Sequence, residues 1–340
     1  QAPTGLCDAR GHGRGRAGTI GAVGNNGRGG GGVAWNGKIL ACKFRESTGS
    51  GSDAGAIACF NYIVKLKNRG VNIRVSSNSW GGPRGGQVDQ LLQNAIDAAG
   101  NAGILSIFAA GNSGTDNDTA PFDPASMSSP SIVSVAASDG SDNRAGFSNY
   151  GATSVDLAAP GVSILSTDIG GGYSYKSGTS MATPHVAGAA ALLFTQKPTL
   201  TPAAAKSLLL GNVDLLGSWT GLVASGGRLN VYGAILTASG HLPPTVNLTA
   251  PTNGAIFAVG TLITVTATAS ESGGTVSGVA FYANGTLIGN DVTSPYSSVW
   301  TPGAGSYTLT AVATDNLGAT TTSAPVSVTV TNAGAVNVAS

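Results

Sequence analysis

In the first two thirds of the chain, the apolar positions switch repeatedly between helix-like and strand-like spacing. Apolar residues recur at helical intervals over 88–102, which predicts an amphipathic helix there. Short apolar runs over 71–77, 104–110 and 132–137 predict strands. Strands that alternate with helices are typical of a parallel sheet with crossover connections. The pattern predicts an α/β domain over residues 1–239.

The patterning changes after the Pro243-Pro244 pair. Polar and apolar residues then alternate with period two, for example over 307–313, as is typical of half-buried strands. Asn284-Gly285 stands between two such runs and is a strong signal for a two-residue hairpin turn. We therefore predict a separate all-β sandwich over 243–331, followed by a tail over 332–340.

The composition excludes several classes of partner. Only 10% of the 340 residues are charged and the formal net charge is +1, so no basic surface for nucleic acid or anionic lipid is expected. No apolar stretch is long enough to span a membrane. Polypeptide, polymer or cell-surface partners are not excluded by this charge balance.

Cysteine usage gives no metal-binding pattern. The three cysteines, Cys7, Cys42 and Cys59, include no pair spaced for a zinc site. An odd number cannot all pair within one chain. Cys42 lies in a strand-like run over 38–44 and Cys59 in a helix-like run, and we interpret them as small buried apolar residues. The sequence leaves their disulfide state open.

The segment 178–188 carries the strongest candidate chemistry, with the sequence GTSMATPHVAG. Ser180 lies at the predicted start of an apolar helix, where unpaired backbone N–H groups and the helix dipole favour a developing oxyanion. Pro184 is placed in the first turn, where its missing N–H costs little. On spacing alone, Ser180 could equally be an ordinary helix cap.

The whole string resembles the nucleophile motif of the subtilisin-like (subtilase) serine proteases. The resemblance implies that Ser180 is the nucleophile and that His185 is structural. It implies a secreted, extracellular bacterial serine endopeptidase that hydrolyses polypeptides through an acyl-enzyme. The fold it implies is a subtilisin-like parallel sheet with helices on both faces.

Two further segments resemble parts of the same family. FAAGNSG over 108–114 is similar to the oxyanion-hole segment, which implies that Asn112 donates to the oxyanion and that Ala109, Ala110 and Gly111 line the substrate site. SNSWGG over 77–82 is similar to the segment that pairs with the substrate main chain, which implies this role for Ser79, Trp80 and Gly81. The segments 145–151 and 157–162 are interpreted as scaffold.

The catalytic base is expected at His12, in GHGRGRAGTI over 11–20, which resembles the family motif G-H-G-T-H-V-A-G-T-I. Here Arg14, Gly15 and Arg16 stand where the family has Thr, His and Val, and an unpaired buried Arg16 would be costly. No Asp-Ser-Gly or Asp-Thr-Gly precedes His12, and Asp8 does not lie in such a motif. We expect that the given sequence starts after the catalytic Asp segment, so that the chain as written is inactive or impaired. The alternative is a catalytically dead, protease-like binding or adhesion protein.

No cofactor is required for this chemistry, but the family resemblance extends to a calcium loop. Residues 25–32 resemble that loop, and Asn26 could supply an oxygen ligand for a structural calcium. A plain glycine loop without metal is the alternative. The C-terminal region resembles the bacterial immunoglobulin-like domains of secreted hydrolases, carried by the hairpin 279–289 and the strand and turn 311–319. Such a module is a spacer or binds a polymer or cell surface.

Overall fold

The structure, a computed structural model, describes residues 11–27, 29–44, 50–272 and 274–332. The chain divides into two compact units, Gln1–Ser239 and Gly240–Ser340. The helices of the described residues are α1 (His12–Gly21), α2 (Asp53–Asn68), α3 (Gln90–Asn101), α4 (Thr179–Gln196), α5 (Pro202–Gly211) and α6 (Val231–Ser239). The strands of the first unit are β1 (Val75–Asn78), β2 (Gly82–Pro83), β3 (Leu105–Ala109), β4 (Phe122–Asp123), β5 (Ile132–Ser138), β6 (Leu157–Pro160), β7 (Ile164–Thr167), β8 (Tyr173–Lys176), β9 (Asp214–Leu215) and β10 (Gly227–Arg228).

The central sheet of the first unit has the order β1-β3-β5-β6-β10-β9. All neighbours in it are parallel except β9 and β10, which pair antiparallel. Alternate residues of β3 and its flanks point to opposite faces. Leu105 and Ile107 pack with the apolar side of α4, while Ile104 and Phe108 pack with α2 and α3. The predicted parallel sheet with helices on both faces is confirmed.

Local capping shifts two of the predicted elements. Asp89 accepts hydrogen bonds from the backbone N–H groups of Leu91 and Leu92, at 2.9 and 3.1 Å, so α3 begins at Gln90 rather than at residue 88. The strand predicted from residue 71 begins only at Val75. Val71 is exposed and its N–H returns to the Leu66 carbonyl, which closes the end of α2.

The cysteine interpretation is wrong for Cys42 and Cys59. The two residues form a disulfide across 17 positions, with their Cα atoms 6.0 Å apart. Cys42 is exposed and Cys59, on α2, is half-buried, so neither is a core residue. The run 38–44 forms no strand, because it crosses the surface to reach the disulfide. Cys7 lies outside the described residues.

The second unit is an all-β sandwich, as predicted. Its strands are β11 (Thr245–Ala250), β12 (Ala255–Ala258), β13 (Ile263–Ser270), β14 (Val276–Ala283), β15 (Thr286–Asp291), β16 (Tyr296–Trp300), β17 (Gly305–Asp315), β18 (Thr320–Thr322) and β19 (Val326–Thr331). One sheet has the order β11-β13-β16 and the other β12-β19-β17-β14-β15, with β18 beside β17. The pairs are antiparallel except β12 with β19.

The predicted hairpin turn joins β14 to β15. Ala283 and Thr286 pair across it, and Asn284 and Gly285 have φ values of 48° and 78°. Positive φ at both central residues is the geometry that favours Asn-Gly. The described part of the chain holds no helix with the length and apolarity needed to cross a membrane.

Candidate active site

Ser180 lies at the N-terminal end of α4, beside the carboxyl end of β3. The helix begins at Thr179 after Gly178, whose φ of 149° lies outside the range that most side chains tolerate. Gly178 N–H donates to the Gly161 carbonyl at 2.8 Å, so the segment 157–162 anchors the start of the helix. Ser180 is half-buried, and the described residues offer no acceptor for its backbone N–H. This N–H is therefore directed at the space in front of the helix.

Pro184 is the sixth residue of α4 and not part of its first turn, so that prediction is wrong. In the interior of a helix, proline removes the N–H that would bond to the carbonyl four residues earlier. That carbonyl belongs to Ser180, and it accepts a hydrogen bond from the Ser79 hydroxyl at 3.0 Å instead. The nucleophile candidate is thereby joined to the segment that follows β1.

Asn112 is fixed by the first residue of α4. Its Oδ1 accepts from the Thr179 N–H at 2.8 Å, and the Thr179 hydroxyl lies 3.1 Å from the same oxygen. Because these donors identify Oδ1, the Nδ2 group is turned to the other side. Asn112 Oδ1, the Ser180 backbone nitrogen and Asn112 Nδ2 lie 3.6, 3.6 and 3.7 Å from the point where Gly178 would carry a Cβ atom. The Asn112 amide and the Ser180 N–H therefore border one small space that a side chain at Gly178 would occupy, and the Asn112 oxygen is already engaged by Thr179.

The turn that carries Asn112 is held by buried amides that the sequence did not single out as site residues. Gly111 has a φ of 115°, and a Cβ atom there would lie 2.4 Å from Asn149 Nδ2. Asn149 Oδ1 accepts from the Ser113 N–H at 2.8 Å, and its Nδ2 donates to Asn117 Oδ1 at 2.9 Å. Asn117 in turn donates to the Ala110 carbonyl at 2.9 Å. Both amides are more than 98% buried. Asn149 lies in the segment 145–151, which is interpreted from the sequence as scaffold, whereas no pattern marks Asn117.

The two predicted substrate-binding segments lie at the carboxyl ends of β1 and β3, which are neighbouring parallel strands. Ala109 and Ala110 are buried at the end of β3, so their side chains offer no contact surface. Trp80 packs edge-on against Phe44 and Phe108, at ring-centroid distances of 5.1 and 5.8 Å. Its half-buried ring therefore packs against the core. A Cβ atom on Gly81 would lie 2.5 Å from the Phe122 ring, so only glycine fits this position.

His12 is the first residue of α1 and is half-buried. Arg16 lies one turn later on the same helical face. Its Nη1 donates to the Ser79 carbonyl at 3.1 Å, so the expectation of an unpaired Arg16 is wrong. The face of α1 that carries His12 and Arg16 is therefore directed toward the segment that contacts Ser180. Asp8 lies outside the described residues.

The start of α1 is held by an ion pair from β8 and the preceding turn. Lys176 Nζ lies 3.0 Å from the Gly11 carbonyl and 3.0 Å from Asp168 Oδ1. Hydrogen bonding from the Ser174 hydroxyl, the Ile169 N–H and Lys176 lowers the pKa of Asp168 to about 2. The Ser174 hydroxyl must rotate toward the carboxylate to contribute, whereas the Ile169 contact has defined geometry at 2.8 Å. A side chain at Gly11 would collide with Asp168.

His185 lies on α4 and bonds within its own helix. Its Nδ1 is 2.9 Å from the Met181 carbonyl, and burial lowers the pKa of the imidazole. This contact within α4 is consistent with the structural role that the family resemblance implies for His185.

Asn26 lies exposed in the loop after α1. Between Asp8 and Glu46 the sequence contains no carboxylate, so the loop offers calcium only amide and backbone oxygens. Calcium sites normally include carboxylates, and the loop therefore fits the ion poorly. Calcium binding at Asn26 stays a prediction, and no step below depends on it.

Comparisons with known proteins agree with this geometry. A family model described as Subtilase family matches residues 4–242, and one described as Bacterial Ig domain matches residues 244–311. Subtilisin NAT of Bacillus subtilis subsp. natto is 41% identical over 212 residues, covering 62% of this chain and 52% of its own. Subtilisin of Bacillus pumilus is 41% identical over 212 residues, covering 62% and 73%.

A solved structure is also similar. It belongs to the proteases of Pseudoalteromonas arctica PAMC 21717, with a TM-score of 0.59 and 31% identity, over 67% of this chain and 71% of that one. The chain spans about half the length of several curated relatives that it matches.

Proposed function

Because the chain belongs to the subtilase family, we propose that its first unit is a serine endopeptidase that cleaves polypeptides through an acyl-enzyme. The observation that carries this proposal is the pair of donors beside Ser180. Asn112 Nδ2 and the Ser180 N–H flank one space, and Thr179 fixes the orientation of Asn112. Donors preorganised around a developing oxyanion are a major source of rate enhancement in acyl transfer.

In the proposed reaction, Ser180 Oγ attacks the scissile carbonyl while His12 accepts its proton. The carbonyl oxygen becomes an oxyanion that accepts from Asn112 Nδ2 and the Ser180 N–H. His12 then returns the proton to the leaving amine, and water hydrolyses the acyl-enzyme by the same steps. The chemistry needs no cofactor.

We propose that the substrate main chain pairs with Ser79, Trp80 and Gly81, on the side away from the Phe122 ring. Gly81 is exposed and lacks a side chain that would obstruct such pairing. The segment Ala109, Ala110 and Gly111 supplies the opposing edge through its backbone.

A labelled fluorophosphonate tests the nucleophile directly. We expect the full chain to be labelled at Ser180, as mapped by peptide mass analysis, because the donors stabilise the tetrahedral adduct. The Ser180→Ala variant should not react, while Ser177→Ala, an exposed neighbouring serine, should react normally. Labelling that survives loss of Ser180 would contradict the assignment.

A second candidate function is a binding protein with little or no turnover, favoured by the contact between Arg16 and Ser79. The Ser79 carbonyl is an acceptor on the proposed substrate-pairing segment, and Arg16 Nη1 already donates to it. This contact and the altered His12 motif lead us to expect slow hydrolysis by residues 1–340. Fluorophosphonate labelling without measurable peptide cleavage would favour this function, and rapid cleavage would exclude it.

We propose that the protein is secreted by a bacterium and acts outside the cell. The Cys42–Cys59 disulfide supports this, because such bonds persist mainly in oxidising environments. For the immunoglobulin-like unit we propose a spacer role, with binding to a polymer or cell surface as the alternative. Co-sedimentation of the full chain with insoluble polysaccharides or cell walls distinguishes the two roles.

A further inference from the structure

Three ionisable side chains meet inside the second unit, away from the candidate active site. His241 precedes β11, Glu271 follows β13, and Asp315 ends β17. His241 Nε2 lies 2.8 Å from Asp315 Oδ2, and His241 Nδ1 lies 3.4 Å from Glu271 Oε1. The side chains are 5%, 1% and 0% exposed for His241, Glu271 and Asp315 respectively. Two carboxylates and an imidazole are thus removed from bulk water together.

Asp315 is fully satisfied by its neighbours. Its Oδ1 accepts from the backbone N–H groups of Leu317 and Ala319, at 2.7 and 2.9 Å. Its Oδ2 lies 2.8 Å from His241 Nε2, so both oxygens have partners. Asp315 is therefore a fixed carboxylate that holds one side of the imidazole.

Glu271 is not satisfied in this way. Both of its carboxylate oxygens are buried, and neither has a hydrogen-bond partner among the described residues. The 3.4 Å approach of His241 Nδ1 lacks hydrogen-bond geometry, although the distance is short enough for an ion pair. A buried carboxylate without a donor is costly and rare, so a further cation is expected beside it.

The missing side chain at Gly274 leaves the Glu271 carboxylate uncovered on one side. A Cβ atom there would lie 2.7 Å from Glu271 Oε1 and 2.5 Å from Asn316 Oδ1. A side chain at this position would therefore cover both oxygens and leave no approach for an ion. Gly274 is exposed, which gives an ion a path from solvent and a position for a water ligand.

We propose that His241 and Glu271 bind a divalent transition-metal ion, with Asp315 orienting the imidazole. Imidazole nitrogen and carboxylate oxygen are typical zinc ligands, whereas calcium prefers oxygen alone. One ligand atom from each of the three residues lies within 4.8 Å of the others. A tetrahedral zinc ion with bonds of about 2.0–2.2 Å sets its ligands roughly 3.3–3.6 Å apart, which matches the 3.4 Å between His241 Nδ1 and Glu271 Oε1.

One imidazole presents only one nitrogen to an ion. Nδ1 faces Glu271, and Nε2 lies against Asp315, so the metal binds Nδ1 while Nε2–H donates to the carboxylate. A carboxylate that holds the far side of a ligating histidine fixes the ring and raises its basicity. Asn316 Oδ1 and water complete the coordination.

The test uses the full chain after treatment with a chelator and dialysis. Titration with zinc chloride, followed by calorimetry, should show that the parent chain binds zinc. The His241→Gln and Glu271→Gln variants should not bind it. Asp291→Asn is the matched control, because it removes the other aspartate of the same unit and leaves the cluster intact. Asp315→Asn should weaken binding by about 10- to 100-fold without abolishing it. Cobalt should report imidazole coordination through its visible absorption.

Circular dichroism of each variant separates loss of binding from loss of fold. If Glu271→Gln fails to fold, the His241→Gln variant and the cobalt spectrum of the parent still decide the matter. Zinc binding of equal affinity and stoichiometry in the parent and in folded His241→Gln would overturn the proposal. So would a parent chain that binds no zinc at 100 µM.

Discussion

The two sides of the candidate active site are stabilised by different interactions. On the Ser180 side, β3, β5 and α4 bury apolar residues on both faces of the sheet, and buried amides fix the turns. On the His12 side, α1 buries only Gly15, Gly18 and Thr19. It is held through its own carbonyls, which accept from Ser166 Oγ and Thr167 Oγ1 at 2.6 and 2.8 Å.

This difference teaches which half of the site tolerates sequence change. Burying apolar side chains stabilises the fold in proportion to the apolar area that is removed from water. Because such a core is closely packed, few other side chains fit at each of its positions. A helix held through its backbone accepts varied side chains, provided that close approach is preserved. At Gly18 a Cβ atom would lie 2.4 Å from Thr167 Oγ1. The departures from the family motif fall on α1, at residues 14–16, and the structure pairs Arg16 with the Ser79 carbonyl.

The largest expected effect is on the Ser180 side. Asn112→Ala should lower kcat by about 10²- to 10³-fold, a magnitude known from subtilisin itself rather than calculated from this structure. KM should change little, because the donor acts on the transition state. Steady-state peptide hydrolysis measures this, with Ser113→Ala as the control for the exposed neighbouring residue. Equal loss in both variants would point to disruption of the turn.

The disulfide offers the next largest effect, on the stability of the first unit. Replacing Cys42 and Cys59 by serine removes a crosslink over 17 residues and should lower the free energy of unfolding by about 3 kcal/mol. Urea unfolding measures the change. Fluorophosphonate labelling of the folded double variant should continue, because the hydrogen bonds at the start of α4 come from Ser79 and Asn112. Loss of labelling would show that the geometry around Ser180 depends on the crosslink.

Arg16→Met should strengthen peptide binding by up to about 10-fold, because the Ser79 carbonyl is released to accept from a substrate N–H. Fluorescence anisotropy in a Ser180→Ala background measures peptide affinity whether or not the chain turns over. Arg16→Lys keeps a cationic donor and is expected to bind close to the parent. Weaker binding by the Met variant would show that Arg16 positions substrate rather than competes with it.

The smallest effect concerns the ion pair at the start of α1. The pKa of Asp168, about 2 in the folded protein, lies below the ordinary value of 3.8, so the carboxylate contributes stability above pH 4. That contribution is lost as the pH falls through about 2. Asp168→Asn should therefore lower the melting temperature slightly and equally from pH 5 to 8, and the difference from the parent should shrink below pH 4. Lys176→Met should behave alike near neutral pH. A difference that persists at pH 2 would assign the effect to something other than the charge.

The sequence predicted the sheet, the sandwich and the segments that meet near Ser180, because long apolar periodicities and contiguous motifs are local signals. It did not predict the Cys42–Cys59 bond, since pairing depends on where the segment 38–44 crosses the surface. The Arg16 partner was missed for the same reason: the Ser79 carbonyl is far away in sequence and has no side-chain signature. Asn149 and Asn117 hold the turn because they are buried and hydrogen-bonded. The burial of a polar loop residue depends on distant parts of the chain and cannot be predicted from its local sequence.

The position of Pro184 has a consequence for how the site keeps its alignment. In a regular helix the Ser180 carbonyl would accept a hydrogen bond from the backbone N–H four residues later and would not be available to the segment that follows β1. Because that bond is absent, the Ser79 hydroxyl donates to the Ser180 carbonyl and links the segment that follows β1 to the start of α4. A displacement of either part is transmitted to the other at once. The segment that follows β1 and the start of α4 are therefore coupled through this bond, in addition to the Thr179–Asn112 bond and the packing of α4.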